Sequence, residues 1–309
     1  MCTPIHAPRV DLSVVSPVYN EDGNVEELVR ALLAALSKMS IEFEIILVDD
    51  GSQDQTWSAI SAASEKHPEV KGVSLSRNFG HQNAVFAGLH YATGRAVITM
   101  DGDLQHPPET IPALYEAWGD GSQVVETRRI DSEDTPFLKA LTSKVFYWFF
   151  SFLSGIPMSP GTSDFRLMDK KVVDSVLKMN DSNLFLRGIA HWVGYKKTTI
   201  PYTAQNRFSG STKYDLSRMI AFASSSLISF SIIPLKLGIW LGLFTSGISF
   251  IELIYIFFRF FRGNVVPGWA STLAVLSLMF GILFILLGII GIYLGSLFET
   301  VKNRPRFLT

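Results

Sequence analysis

The most constraining feature of this 309-residue chain lies near its carboxyl end. From Leu237 to Phe298 the only formal charges are Glu252, Arg259 and Arg262. Within that stretch Leu237 to Phe258 is one apolar run of about 22 residues and Ala270 to Phe298 is another of about 29. Both are long enough to cross a bilayer, the second with tilt. The link RGNVVPGW carries Gly263, Pro267 and Gly268, so the runs form a hairpin with both flanks on one side. The flanks hold Lys213, Arg218, Lys236, Lys302, Arg304 and Arg306, against Arg259 and Arg262 at the link. That bias favours a cytoplasmic amino-terminal domain and tail, with the two link arginines pulling the other way. Glu252 sits inside the first run, where a carboxylate is costly unless protonated or paired. It either meets a partner helix or has no role. Together with Gly281, Gly288, Gly291 and Gly295 it leaves self-association of the chain open.

Composition excludes several classes. Only 18% of residues are charged, against about 25% in globular domains. A wholly soluble protein, a disordered chain and a disulfide scaffold are ruled out. Cys2 is the only cysteine, which fits a reducing compartment. The net charge of −1 gives no sign of nucleic-acid binding. Met1 to Arg9 show no long apolar run after a basic start, so no secretory signal is expected.

The stretch before the hairpin alternates strands and helices. Val10 to Val18, Glu42 to Val48, Val70 to Ser76 and Ala96 to Met100 read as strands. Asn24 to Met39, Gln55 to Lys66 (capped by Asp54) and Gln82 to Thr93 read as helices. Such alternation predicts a parallel sheet with right-handed crossovers, whose ligands bind beyond the carboxyl ends of the strands. The polar clusters at Asn20-Glu21, Asp49-Asp50 and Asp101-Asp103 fall at such ends. After Val125 the pattern changes. Pro136 to Gly155 holds seven aromatics beside Lys139 and Lys144, too short to span, and reads as a helix lying at a membrane interface. A buried core helix is the alternative. Tyr214 to Ser231 is a second segment of this kind.

The chemistry centres on Asp101-Gly102-Asp103-Leu104-Gln105 after an apolar strand. Two carboxylates at i and i+2, with an amide oxygen two further on, can converge on one hard cation. Mg²⁺ or Mn²⁺ prefers oxygen ligands and also takes phosphate oxygens. Acidic pairs on ordinary turns look the same; the strand end and the following His106-Pro107-Pro108-Glu109 strengthen the site reading. Asp49-Asp50-Gly51-Ser52 can accept hydrogen bonds from a base or ribose, or be a plain acidic turn. In Pro17-Val18-Tyr19-Asn20-Glu21, Tyr19 can stack on a base and Glu21 can bind a ribose or base edge. His81, in SRNFGHQNAVFAG, reads as a packing or loop residue rather than a ligand.

Strand-PVYNE, strand-DDGSQD, strand-DGDLQHPPE, GTSDFRLMD and RFSGSTKY, in that order, resemble glycosyltransferase family 2. The resemblance is greatest to its polyprenyl-phosphate branch, the dolichyl-phosphate mannose synthases and bactoprenol-phosphate glucosyltransferases, and covers essentially the whole chain. It implies an α/β, Rossmann-like GT-A nucleotide-sugar core at 1–135, the rest of the catalytic domain with its interfacial helices at 136–231, and a transmembrane hairpin and tail at 232–309. It implies that Pro17, Tyr19, Glu21, Val48 and Asp50 line the nucleoside pocket, and that Asp101, Asp103 and Gln105 form the metal and diphosphate site. Arg207 and Lys213 match the basic pair that closes over the diphosphate. Arg128, Ser143 and Lys144 fall where the family binds the lipid phosphate, Lys144 standing where an arginine is equally expected. Asp164 falls near the sugar or acceptor, or positions Arg166. The implied reaction is inverting transfer of one sugar, glucose from UDP-glucose first, to a polyprenyl phosphate in the bacterial inner membrane, with mannose, aminoarabinose and GDP donors left open. A processive polysaccharide synthase is the nearest rival. Its Gln-x-x-Arg-Trp motif is not matched by Gln205-Asn206-Arg207-Phe208, and two spans do not enclose a polymer pore. A non-catalytic membrane scaffold is the other alternative, against which the intact acidic and basic motifs stand.

Overall fold

The structure is a computed structural model that describes residues 10–130, 161–179, 186, 188, 192–203, 233–262 and 268–309. Ser143, Lys144, Arg207, Lys213 and the two segments read as interfacial helices lie outside the described residues.

Seven strands make one sheet: β1 (Leu12–Val18), β2 (Phe43–Asp49), β3 (Val70–Ser74), β4 (Ala96–Thr99), β5 (Val124–Ile130), β6 (Thr162–Asp169) and β7 (Lys197–Thr203). Their spatial order is β3-β2-β1-β4-β6-β5-β7. The pairs β1·β2, β1·β4, β2·β3 and β5·β7 are parallel, while β6 runs antiparallel to both β4 and β5. The sheet is therefore mixed, where strand–helix alternation alone predicts a parallel one. The reversal arises because β6 begins at the edge where β5 ends, with Arg128 opposite Thr162. The chain re-enters the sheet pointing the other way.

The central strands are apolar on both faces, as a sheet covered on both sides requires. Val14, Ile45, Leu47 and Ile98 face one layer, in which α1 (Asp22–Leu36), α2 (Thr56–Lys66) and α4 (Ile111–Gly119) pack. Val15, Ile46, Val48 and Val97 face the other, built by α3 (His81–Tyr91) and α5 (Lys170–Leu177). Helix α1 buries Val25, Leu28, Val29, Leu32 and Leu36, the i, i+3, i+4 stripe of an amphipathic helix. Asp54 accepts the Thr56 N–H at 3.0 Å and so supplies the start of α2. Helix α3 lies close on the sheet: a Cβ at Gly88 would meet Val15 Cγ1 at 2.2 Å.

Two helices follow, α6 (Ile233–Phe261) and α7 (Trp269–Lys302). Each contains a segment long and apolar enough to cross a membrane, Gly238–Arg259 and Leu278–Lys302. At 1.5 Å per residue the first segment is about 33 Å long, against a hydrocarbon core of about 30 Å. Their apolar side chains, including Trp240, Phe244, Ile251, Phe284 and Ile285, are exposed rather than packed in a core. Glu252 is exposed as well.

After Asn303, which is left-handed (φ 47) and ends α7, the tail returns to the α/β domain. Leu308 O accepts the Ser76 N–H at 2.8 Å. The Arg306 guanidinium donates to Met179 O and lies 4.5 Å over the Phe86 ring, a cation–π contact. Phe307 packs against the rings of His90 and Tyr91 on α3. The carboxyl end of the hairpin is thereby bonded to the layer that carries α3.

A buried polar tie joins three strands below the site. Glu44 on β2 is 2% exposed. Its carboxylate accepts from Ser13 Oγ at 2.6 Å, Thr93 N–H at 2.7 Å, Thr93 Oγ1 at 2.8 Å and Lys71 Nζ at 2.5 Å. Burial alone would raise its pKa, but these bonds to the charged form together hold it below the ordinary 4.5. The folded state then binds that proton more weakly than the unfolded chain. Its stabilising contribution is complete above 4.5 and is lost as pH falls through the lower folded value. Denaturant unfolding between pH 7 and pH 3 should show a shallower loss of stability at the acid end for Glu44→Gln than for the unaltered chain; identical slopes would contradict this.

Candidate active site

Strand register decides where a site can lie. Val18 pairs with Asp49, and Val15 with Thr99, so β1, β2 and β4 end at one edge. Between β1 and β4 the strand order reverses, the switch point at which an α/β sheet opens a crevice. Thr99 pairs with Arg166 in antiparallel β6, which sets Ser163 and Asp164 beside the end of β4. Strands β5 and β7 end at the same edge, with Ile130 opposite Thr203.

The loops after β1 and β2 are bonded into one frame. Asn20, left-handed at φ 53, donates its N–H to Ser52 Oγ and accepts the Gln53 N–H, both at 2.9 Å. Glu21 N–H donates to Thr56 Oγ1 at 2.9 Å. Asp50 is 3% exposed, and its two oxygens accept the Phe79 N–H at 2.7 Å and the Gly80 N–H at 3.0 Å. Burial pushes the Asp50 carboxyl up, and the two amides oppose that rise. Gly51 has φ 68, and a Cβ there would lie 2.4 Å from the Arg77 carbonyl carbon. The loop that grips Asp50 thus crosses directly over Gly51, and only glycine fits. Tyr19 is exposed and Glu21 half-buried, so both reach the surface of this edge. Pro17 and Val48 are buried, and with Asp50 they stand behind the edge rather than on it.

Asp101 to Gln105 form a tight turn. Asp103 Oδ1 accepts the Gln105 N–H at 3.1 Å, the turn geometry that aspartate favours. Leu104 is left-handed (φ 60) and 8% exposed. A bulky residue in that conformation is strained, and such strain persists where the surroundings over-determine it. A Cβ at Gly102 would lie 2.5 Å from Val18 Cγ1 and 3.2 Å from Pro17 O, so the turn presses on the end of β1.

Among the described residues, Asp101 Oδ1 is buried and has no hydrogen-bond partner. His81 Nε2, on the first residue of α3, lies 3.4 Å from it and 4.0 Å from Asp164 Oδ2. Asp164 Oδ1 accepts from Arg166 Nη2 at 3.2 Å. Arg166 is 1% exposed, donates also to Ser163 O at 3.1 Å, and stands opposite buried Glu126 on β5. Behind Asp101, His106 Nδ1 accepts the Asp101 N–H at 3.0 Å. Asp101, Asp103 and Asp164 thus share one edge of the sheet, with Gln105 half-buried in the same turn and Arg128 exposed at the end of β5. His81, whose sequence context suggests packing, bridges two of the acids instead. His106 and Ser163 lie within the quoted motifs DGDLQHPPE and GTSDFRLMD, yet neither was given a role there, and no motif marks Tyr202.

A hard divalent cation fits this donor set. Among the described residues, a buried carboxylate oxygen that accepts no hydrogen bond, in the same turn as a second carboxylate, is an oxygen-rich, negative position. Among the described residues no three His, Cys, Asp or Glu side chains form a ready cage. Mg²⁺ and its relatives take one or two carboxylates and complete the shell with phosphates and water.

Gly102→Ala should lower stability by about 1–3 kcal/mol, because the new methyl group meets Val18 and the Pro17 carbonyl. Gly119→Ala, where a Cβ meets nothing within 4 Å, should be neutral or slightly stabilising. Equal unfolding midpoints for the two variants would contradict the packing of the acidic turn.

The family model for Glycosyl transferase family 2 matches residues 13–177. Over 303 residues the chain is 39% identical to an uncharacterized glycosyltransferase of Synechocystis, covering 97% of this chain and 94% of the relative. Over 298 residues it is 35% identical to the prophage bactoprenol glucosyl transferase homolog of Escherichia coli, covering 96% of this chain and 97% of that one. Among solved structures, mannosyl-3-phosphoglycerate synthase from Rubrobacter xylanophilus is similar with a TM-score of 0.49 at 17% identity, covering 71% of this chain and 72% of that one. On the family match and the near-full-length relatives, the chain belongs to glycosyl transferase family 2.

Proposed function

We propose that the protein transfers a single sugar, glucose from UDP-glucose, to the phosphate of a membrane polyprenyl phosphate. The observation that carries this reading is the unbonded, buried Oδ1 of Asp101 at the sheet's switch point, with Asp103 and Asp164 on the same edge. Relatives named as bactoprenol glucosyl transferases, matched over nearly the whole chain, support the acceptor class.

The nucleoside lies over the ends of β1 and β2, with Tyr19 against the base and Glu21 on a polar edge. Pro17, Val48 and Asp50 form the wall behind it, and Asp50 keeps the Phe79–Gly80 backbone in place. Asp101, Asp103 and Gln105 would hold Mg²⁺ or Mn²⁺ together with the donor diphosphate. Bound there, the cation supplies neutralisation of the charge that builds on the departing diphosphate. Arg207 and Lys213 close over the same diphosphate, and Arg128, Ser143 and Lys144 receive the acceptor phosphate. Asp164, oriented by buried Arg166, faces the sugar.

A lipid phosphate is anionic at neutral pH and needs no base to become a nucleophile. Its oxygen forms a bond to the anomeric carbon as the bond from that carbon to the diphosphate breaks, and the configuration inverts. The protein's share of catalysis is then positioning and electrostatic stabilisation. Helices α6 and α7 cross the membrane as a hairpin with the catalytic domain on the cytoplasmic side. The tail bonded at Ser76 and Phe86 supports this, because it requires that the domain and the end of α7 share one face of the bilayer.

Asp103→Asn tests the reading. Transfer of label from the nucleotide sugar into lipid-extractable product should fall at least about a hundredfold, the scale of losing one electrostatic contact to the developing charge. The unfolding midpoint should stay close to that of the unaltered chain. Near-normal turnover by this variant would overturn the proposed site.

A further inference from the structure

The chemistry above leaves one buried group at the site unused. His106 is 5% exposed. Its ring stacks on Phe165 at 5.2 Å and 19°, and meets Tyr202 edge-on at 5.8 Å. Both ring nitrogens are engaged, Nδ1 with the Asp101 N–H at 3.0 Å and Nε2 with Ser163 Oγ at 2.8 Å. A ring nitrogen that accepts from an amide carries no proton, so the imidazole is neutral and its proton sits on Nε2, donated to Ser163. Ser163 Oγ also accepts the Phe165 N–H at 3.1 Å. A chain of donors and acceptors therefore runs from the amide of Asp101, through His106, to Ser163 and Phe165 on β6.

The turn at the head of this chain is the one that has reason to move. Leu104 is held left-handed three residues after Asp101, a strained conformation for a residue with a branched side chain. Among the described residues, the hydrogen bond that fixes the Asp101 amide is the one to His106.

We propose that His106 is a positioning residue: as a neutral imidazole it fixes the backbone of Asp101, and so aims the acidic turn at the cation and diphosphate. The proposal rests on Asp101 and Asp103 as the donor diphosphate site. The ring touches neither sugar nor phosphate and acts through Asp101.

The test is binding rather than turnover. UDP binding to the full-length protein in detergent is followed as Mn²⁺ is titrated, for the unaltered chain, His106→Asn, His106→Phe and Ser163→Ala. Asparagine can place an acceptor near Nδ1, whereas phenylalanine keeps the ring stack and leaves the Asp101 amide unsatisfied. His106→Asn should bind with a half-saturating Mn²⁺ concentration within about threefold of the unaltered chain. His106→Phe should raise that concentration about tenfold or more, the scale of one buried hydrogen bond lost. Ser163→Ala should shift it the same way by a smaller factor and guards the test should the phenylalanine variant fail to fold. Equal shifts for asparagine and phenylalanine, or no shift for phenylalanine and Ser163→Ala, would overturn the positioning role. UDP binding by the unaltered chain that is indifferent to Mn²⁺ would overturn the diphosphate site itself, and this inference with it.

Discussion

Strand register is the constraint on which the rest depends. Because β1, β2 and β4 are parallel and in step, their carboxyl ends lie side by side, and three loops rich in acids and amides meet at one edge. The reversal of β6 adds Ser163 and Asp164 to that edge from the opposite direction. A fully parallel sheet would have delivered the end of β6 there instead of its beginning, and Asp164 would stand at the far side. The site is a consequence of how seven strands are ordered rather than of any one motif.

Negative charge gathered this way has to be supported from beneath. Arg166 is wholly buried, donates to Asp164 and stands opposite Glu126, so charged side chains lie inside the sheet just under the edge. Buried charges of this kind are costly unless paired and hydrogen-bonded, and here the pairing also orients a site residue. The loop after β3 plays the matching part on the nucleoside side: Asp50 grips its two amides, and Gly51 lets it cross. The same loop receives the carboxyl-terminal tail at Ser76. Helix α3, which ends the loop and presents His81 to Asp101, is held by the tail through Phe86, His90 and Tyr91. The apolar hairpin and the acidic turn are thus mechanically joined through one loop and one helix.

Much of this was legible in the sequence, and the limits have physical causes. Strands β1, β2 and β4 are buried on both faces, so they read as apolar runs, and with the edge strand β3 they fall within a few residues of their observed ends. The two long apolar helices were equally plain, since each holds a run of membrane-spanning length with almost no charge. Strands β6 and β7 were not visible: TSDFRLMD carries charged and polar residues where a central strand is expected to be apolar, and KTTIPYT is a largely exposed, proline-containing edge strand. Arg166 can be buried there only because Asp164 and backbone carbonyls receive it, which no local pattern reveals. The acidic motifs marked the edge correctly, but His81 and His106 gained their places through contacts across the fold. Asp50 illustrates the other direction: a motif residue that points to ligand chemistry is also a buried brace for the loop beside it.

The proposed reaction passes one sugar from its nucleotide to a charged lipid head beside the membrane. The most direct measurement is mass spectrometry of the lipid fraction after the full chain, reconstituted in vesicles containing polyprenyl phosphate, is incubated with UDP-glucose and Mg²⁺. The expected product is polyprenyl phosphate carrying a single hexose, formed in step with UDP and absent when the divalent cation is chelated. A polymeric product, or UDP released with the sugar passed to water while the lipid stays unmodified, would contradict it.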